Sequence, residues 1–154
     1  MIDKDVLNPK QLAEAQSKMI VIHRGKYRLH FYRRKSGETR FRHVRSFPIA
    51  IGAIGYETPS GMFLIKRKAL NPDWTAPYSE WVPEDLRGVT FSGYDPRNPI
   101  KAAFLDIWDG VGIHGTDDLA SLGTQASHGC IRMTPADVRL LYRRIPVGTP
   151  VYIT

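Results

Sequence analysis

"GIHGTDDLASLGTQASHGCIRMTPADVRLLYRRI", residues 112–145, contains the chain's only cysteine, Cys130. The stretch opens on the end of an apolar run, GVGIHG (110–115), which reads as a strand. It closes on TPADVRLLYRRI (134–145), which reads as a helix. Thr134 is placed to cap it, Pro135 to start it, and Asp137 to sit where negative charge favours the amide end. Val138, Leu141, Tyr142 and Ile145 then share one apolar face. Between strand and helix lies SHGC (127–130), so the thiol is expected on a loop between two ordered elements.

Working outward, most of the chain alternates as strands do. AAFLDIW (102–108) precedes the histidine strand, and GTPVYIT (148–154) follows the helix as a last strand. MIVIHRGKYRLHFYRR (19–34) reads as a hairpin turning at RGK, with Tyr27, Leu29 and Phe31 alternating with Arg28, His30 and Tyr32. FPIAIG (47–52) reads as one strand with Phe47, Ile49 and Ile51 on one face. TPSGMFLIKRKA (58–69) reads as a turn followed by a single strand. Near the start, NPKQLAEAQS (8–17) has the marks of a short helix, with Asn8 as cap and Pro9 at the first helical position. From Asn71 to Asn98 four prolines interrupt an aromatic-rich stretch that includes Trp74, Trp81 and Tyr94. Its length suggests a functional loop or lid, and its aromatics argue against disorder. The expected architecture is one mostly-β domain with small helices.

Composition agrees with that class. The chain has 154 residues, enough for one domain with a real core. Thirteen glycines and eleven prolines favour many turns. One cysteine excludes an internal disulfide and any multi-cysteine metal cluster. The net charge of +7 suits an anionic partner or, more plainly, solubility. The basic runs YRRK (32–35) and YRR (142–144) are short and read as solvated faces, so no nucleic-acid partner is expected. No apolar run is long enough to span a bilayer, so no stable membrane insertion is expected. The opening MIDKDVLNPK lacks the apolar core of a signal peptide, which fits either a cytoplasmic protein or a chain whose export segment has been removed.

The chemistry centres on the thiol. A thiolate is the working nucleophile, and a histidine within reach can take its proton. His128 and His114 are the two candidates: the first is separated by a flexible glycine, and the second ends a strand sixteen positions upstream. Amides around His128, Gly129 and Cys130 are candidates for an oxyanion hole, and Arg132 for a two-pronged grip on a carboxylate. Each has a plainer reading: a buried small side chain, a satisfied core histidine, a surface cation. A zinc site from His114, His128 and Cys130 is disfavoured by the one-residue gap in HGC and the want of a fourth ligand.

GIHGTDDLASLGTQASHGCIRMTPADVRLLYRRIPVGTPVYI (112–153) resembles the catalytic domain of the L,D-transpeptidases, bacterial cysteine enzymes that cross-link peptidoglycan stem peptides. The resemblance rests on His114-Gly115-Thr116 followed by Ser127-His128-Gly129-Cys130-Ile131-Arg132. The later run of Asp137, Leu141-Tyr142 and Gly148 to Val151 also matches, as do AIGAIGYETPSGMFLI (50–65) and NPDWTAP (71–77). It covers about residues 18 to 154, which implies one catalytic domain over 18–154 with an N-terminal helical extension over 1–17, and it implies a β-sandwich-like fold. It implies Cys130 as nucleophile, His114 as base, and the Gly115 carbonyl as the group that orients the base. It also implies an oxyanion hole at His128, Gly129 and Cys130. Ser127, His128 and Arg132 become candidates for substrate binding, with Trp74 and Tyr94 on the lid. No metal or cofactor is implied. The expected partners are peptidoglycan stem peptides, the expected state is a monomer, and the expected location is the periplasm or cell wall. The alternatives are a stem-trimming carboxypeptidase using the same site, and an inert peptidoglycan-binding domain.

Overall fold

The computed structural model describes residues 2–3 and 7–154. Two five-stranded sheets carry the fold. The first runs β1 (Ile2–Asp3), β7 (Arg67–Leu70), β10 (Lys101–Trp108), β11 (Val111–Gly115), β13 (Ile131–Met133). The second runs β4 (Arg42–Pro48), β3 (Arg28–Arg33), β2 (Lys18–His23), β14 (Pro150–Ile153), β6 (Gly61–Leu64). Their inward residues merge into one core, with Ile20, Ile22, Leu29 and Phe31 from the second sheet and Leu105, Ile107, Ile113 and Ile131 from the first. The architecture is mostly β with two helices, α1 (Pro9–Gln16) and α2 (Pro135–Arg144). Among the described residues no helix is long and apolar enough to cross a membrane.

The helices form as their caps dictate. Asn8 accepts from the Gln11 amide while the Gln11 side chain accepts from the Asn8 amide, a reciprocal box that satisfies two orphan donors. Thr134 accepts from the Asp137 amide at the start of α2. Val138 and Leu141 of that helix, and Ile145 just past it, are fully buried against the first sheet. Tyr142, expected on the same face, is only partly buried, and the Lys68 ammonium lies over its ring. Helix α1 buries Ala15 completely. Of the extension expected over 1–17, residues 1 and 4–6 lie outside the described residues.

Two expected strands divide. TPSGMFLIKRKA does not run straight: its first half, β6, pairs with β14, and its second, β7, pairs with β10 in the opposite sheet. The switch occurs at Ile65 and Lys66, whose amides bond to Thr149 and Asp106 carbonyls respectively. A chain that changes sheets at a corner keeps its backbone paired on both sides of the break. FPIAIG likewise splits between β4 and the short β5 (Ile51–Gly52), and Ala50 in between is as buried as Ile49. The first half of β4, RHVRS, carries no strand signal in the sequence because it is an exposed edge with no apolar alternation.

The 71–98 segment is ordered. Its two short strands, β8 (Trp74–Thr75) and β9 (Thr90–Phe91), pair over a small core of Ala76, Val82 and Phe91. Asn98, fully buried at its base, donates to the Pro72 and Ser92 carbonyls and accepts from the Ile100 amide. Removing the α2 cap with Thr134→Ala is expected to lower unfolding stability by about 1 kcal/mol in urea titration. An unchanged midpoint would show that the cap does not hold this helix.

Candidate active site

Strands β11 and β13 lie side by side and parallel, with Ile113 opposite Ile131, His114 opposite Arg132 and Gly115 opposite Met133. Ile113 and Ile131 are fully buried in the core. Since side chains alternate along a strand, His114 and Arg132 project together from the opposite face. Parallel strands cannot be joined by a tight turn. The crossover spans residues 116–130 and delivers Cys130 immediately before β13, one residue ahead of the Ile113–Ile131 pair.

His114 is buried, and its Nδ1 lies 2.7 Å from the Gly115 carbonyl oxygen. A carbonyl only accepts, so Nδ1 carries the proton and Nε2 keeps the lone pair. Burial drives the ring's pKa down to about 4; the Gly115 bond opposes this, and the Arg132 charge adds to it. Gly115 has no room for a side chain, since a Cβ there would lie 2.3 Å from the Lys101 carbonyl oxygen. The Phe104 ring lies nearly parallel to that of His114, with centroids 6.3 Å apart. The carboxylates nearby pair with cations instead of His114: Asp106 with Arg67 at 2.7 Å, Asp117 with Lys101 at 3.7 Å, and Asp118 with Arg132 at 3.8 Å.

Cys130 sits between two main-chain groups. Its S–H points at the Gly110 carbonyl, 3.6 Å away, and the Gly112 amide hydrogen-bonds to the sulfur. Burial pushes the thiol pKa up, against the pull of the Gly112 bond and the Arg132 charge, while Asp106 adds to the rise. At neutral pH the resting pair is therefore a neutral imidazole and a protonated thiol.

The loop before the sulfur is bolted internally. The buried Ser127 hydroxyl donates to the Cys130 carbonyl at 2.5 Å and accepts from the Gly129 amide at 3.2 Å. Two expectations change as a result. Ser127 holds the loop: it is buried and its only proton is given to the Cys130 carbonyl, so it has no donor to offer a substrate. The Gly129 amide is already committed and is removed from the expected oxyanion set, which leaves the amides of His128 and Cys130. Gly129 itself takes φ +117°, a conformation that favours glycine. Its carbonyl accepts from the buried Thr58 hydroxyl at 2.8 Å, and that hydroxyl accepts from the Gly52 amide at 2.9 Å. The thiol loop is thus tied to the segment after β5.

His128 is stacked under the lid. The Trp81 ring lies parallel to it at 3.8 Å and Tyr56 meets it edge-on at 4.8 Å. Burial and the Arg132 charge lower its pKa. Tyr56 in turn donates to Glu80 of the lid at 3.2 Å. The two lid aromatics expected at the site are placed otherwise. Trp74 stacks on Phe91 against the lid's own core, and Tyr94 is 83% exposed. The sequence does not point to Trp81, because nothing in the spacing of that aromatic-rich stretch separates it from Trp74.

Comparison with known proteins bears on the family and the fold. The family model described as the L,D-transpeptidase catalytic domain, YkuD, matches residues 17–153. "Probable L,D-transpeptidase YbiS" of Escherichia coli K12 is 34% identical over 155 residues, covering 95% of this chain and 48% of that protein. "Probable L,D-transpeptidase ErfK/SrfK" of the same organism is 32% identical over 151 residues, covering 94% and 47%. The chain thus spans about half the length of these relatives. Among solved structures, an L,D-transpeptidase from Mycobacterium smegmatis superposes with a TM-score of 0.66 at 22% identity, covering 90% of this chain and 58% of that one. L,D-transpeptidase 3 from Mycobacterium tuberculosis, in complex with a faropenem-derived adduct, gives 0.68 at 20% identity, covering 90% and 60%. At these identities the likeness is one of fold.

Thr58→Val keeps the shape but removes both bonds of the bolt. Unfolding stability should fall by about 1–3 kcal/mol, with a parallel loss in the rate of thiol labelling by an acylating probe. Unchanged labelling would mean that the loop holds its form without Thr58. A second prediction follows from the buried ring. His114 has a pKa of about 4 folded and about 6.5 unfolded, so the unfolded chain takes up the proton first. Its stabilising contribution is complete above pH 6.5 and is lost as pH falls through 4. The stability difference between wild type and His114→Gln should therefore shrink by roughly 3 kcal/mol from pH 7 to pH 4. A difference independent of pH would contradict a buried neutral imidazole.

Proposed function

From the premise that this chain belongs to the L,D-transpeptidase catalytic-domain family, we propose that it transfers acyl groups between peptidoglycan stem peptides through a thioester on Cys130. The observation that carries this reading is the Nδ1–H bond from His114 to the Gly115 carbonyl, on a strand registered beside the one that follows Cys130. It leaves a lone pair on Nε2 and a positioned sulfur on the same side of the sheet.

The steps balance without a cofactor. The Cys130 proton passes to His114 Nε2 as sulfur attacks the carbonyl before the terminal D-residue of a tetrapeptide stem. Both groups are neutral at rest, so charge develops only as the S–C bond forms. The developing oxyanion is met by the main-chain amides of Cys130 and His128. The C–N bond then breaks, the departing amine takes the proton from His114, and a thioester remains. An amine of a second stem attacks the thioester, a new amide forms and the thiol is restored. Arg132, near His114, His128 and Cys130 in the field it exerts on all three, attracts the substrate's carboxylate. Trp81 and Tyr56, packed on His128, wall the cleft from the lid side. The substrate places the activity outside the cytoplasmic membrane, in the periplasm or wall.

Cys130→Ala should abolish release of the terminal D-residue from tetrapeptide muropeptides, with a loss of at least about 1,000-fold. The wild-type chain, but not this variant, should gain the mass of a carbapenem on incubation. Release that survives in Cys130→Ala would remove the thiol from the mechanism. Product analysis with and without an added amine reports how the thioester divides between transfer and hydrolysis.

A further inference from the structure

The structure also holds a concave site of a different kind. It is a groove of about 910 Å³ between the end of α1, the β3–β4 connection and the last turn of α2, and it shares no lining residue with the cysteine site. Its walls carry seven cations against two carboxylates, Glu14 and Glu38. Lys10 and Lys18 come from the α1 side, Arg33, Arg34 and Lys35 from the hairpin end, and Arg143 and Arg144 from α2. Among the described residues Lys18 alone of these seven pairs with a carboxylate, that of Glu14. The groove is held in shape, since the Arg34 amide bonds to the Ser17 carbonyl at 2.9 Å. Two guanidiniums are held over rings, Arg34 over Phe41 at 5.1 Å and Arg144 over Phe31 at 5.5 Å.

Arg143 and Arg144 have a local purpose at the negative end of a helix dipole. That does not explain Lys10, Arg33, Arg34 and Lys35 converging on the same space. Like charges gathered within a Debye length repel, and the arrangement is relieved by a bound polyanion. The lining also indicates which kind. Among the described residues Ala13 is its only apolar side chain, and it includes no aromatic. A nucleic acid would find no ring to stack its bases on, and an acidic peptide or lipid would find no pocket for apolar groups. A bilayer surface is flat and would meet only the rims. A single phosphate would meet one wall. Guanidinium forks match the paired oxygens of a phosphate.

We propose that this groove holds a flexible, base-free phosphodiester polymer, engaging several successive phosphates, so that the domain is retained on an anionic polymer of the envelope while Cys130 works elsewhere. Polymer binding at the groove is independent of the acyl-transfer chemistry, while its setting in the envelope rests on the location proposed above.

The test is fluorescence anisotropy with labelled poly(glycerol phosphate) over a sodium chloride series. Wild type should bind with affinity falling steeply with salt. Lys10→Glu/Lys35→Glu alters opposite walls at exposed positions, and an acidic residue in the first turn of α1 suits that helix. It should weaken binding by about 10-fold or more and make the log–log salt slope shallower by about 1.4, near 0.7 for each phosphate no longer neutralised. Lys26→Glu/Arg28→Glu makes the same charge change at the opposite end of the β2–β3 hairpin and should bind like wild type. Equal weakening by the two double variants would reduce the effect to net charge and overturn the proposal. Equal or tighter binding of a thymidine oligonucleotide, of polyglutamate or of phosphatidylglycerol vesicles would overturn the choice of ligand. Cys130→Ala should bind the polymer as wild type does, which keeps failure here distinct from failure of the thioester mechanism.

Discussion

The parallel register of β11 against β13 is the constraint on which the rest depends. Ile113 and Ile131 both occupy the core, and that pins the two strands relative to each other. A slip of one residue would turn His114 inward and an isoleucine outward, at a cost of a buried polar ring and a missing core side chain. The core thus fixes the direction of the imidazole. The same pairing obliges the chain to cross over between the strands. The crossover is fastened by the parallel pairing of β12 (Gln125–Ser127) with β5, and the strand it leads into by the two-way bridge between Ala50 and Arg132. Cys130 emerges at its end, where its position follows from both fastenings.

Burial sets the chemistry of the pair. It holds the imidazole neutral and the thiol protonated, so the two groups do not rest as an ion pair with each other. Orientation is supplied by main-chain groups: the Gly115 carbonyl for the ring, the Gly110 carbonyl and Gly112 amide for the sulfur. Main-chain partners do not titrate, and they hold their direction through a change of protonation. The nearby acids, each engaged with a cation, leave the ring's environment free of a competing carboxylate. In the proposed reaction charge appears only in passing, beside main-chain dipoles that are already oriented.

The two sheets take different surface chemistry. The first carries the histidine–cysteine pair on the face away from the core, under a lid whose small core of Ala76, Val82 and Phe91 keeps it ordered. Contact between lid and site runs through Trp81, stacked on His128, and through Glu80, which accepts from Tyr56. The end of the second sheet, with both helix ends beside it, forms the basic groove. A domain of this size can present both because its core is single and continuous, leaving each outer surface free to vary.

Local signals alone determined much of this protein. Caps and apolar periodicity placed α1 and α2, and alternation placed the β2–β3 hairpin and the strands around residue 105. These readings depend on neighbours in the chain, which is why they were legible; His114, Gly115 and Cys130 were marked as candidates by resemblance to a family. The tertiary structure decided what depends on partners far along it. It broke TPSGMFLIKRKA between two sheets at Ile65, since the corner is defined by Thr149 and Asp106. It committed Ser127 and the Gly129 amide to each other, and it chose Trp81 over Trp74 for the contact with His128. A hydroxyl or an amide has a fixed capacity for hydrogen bonds, and only the folded chain reveals which of them are already taken.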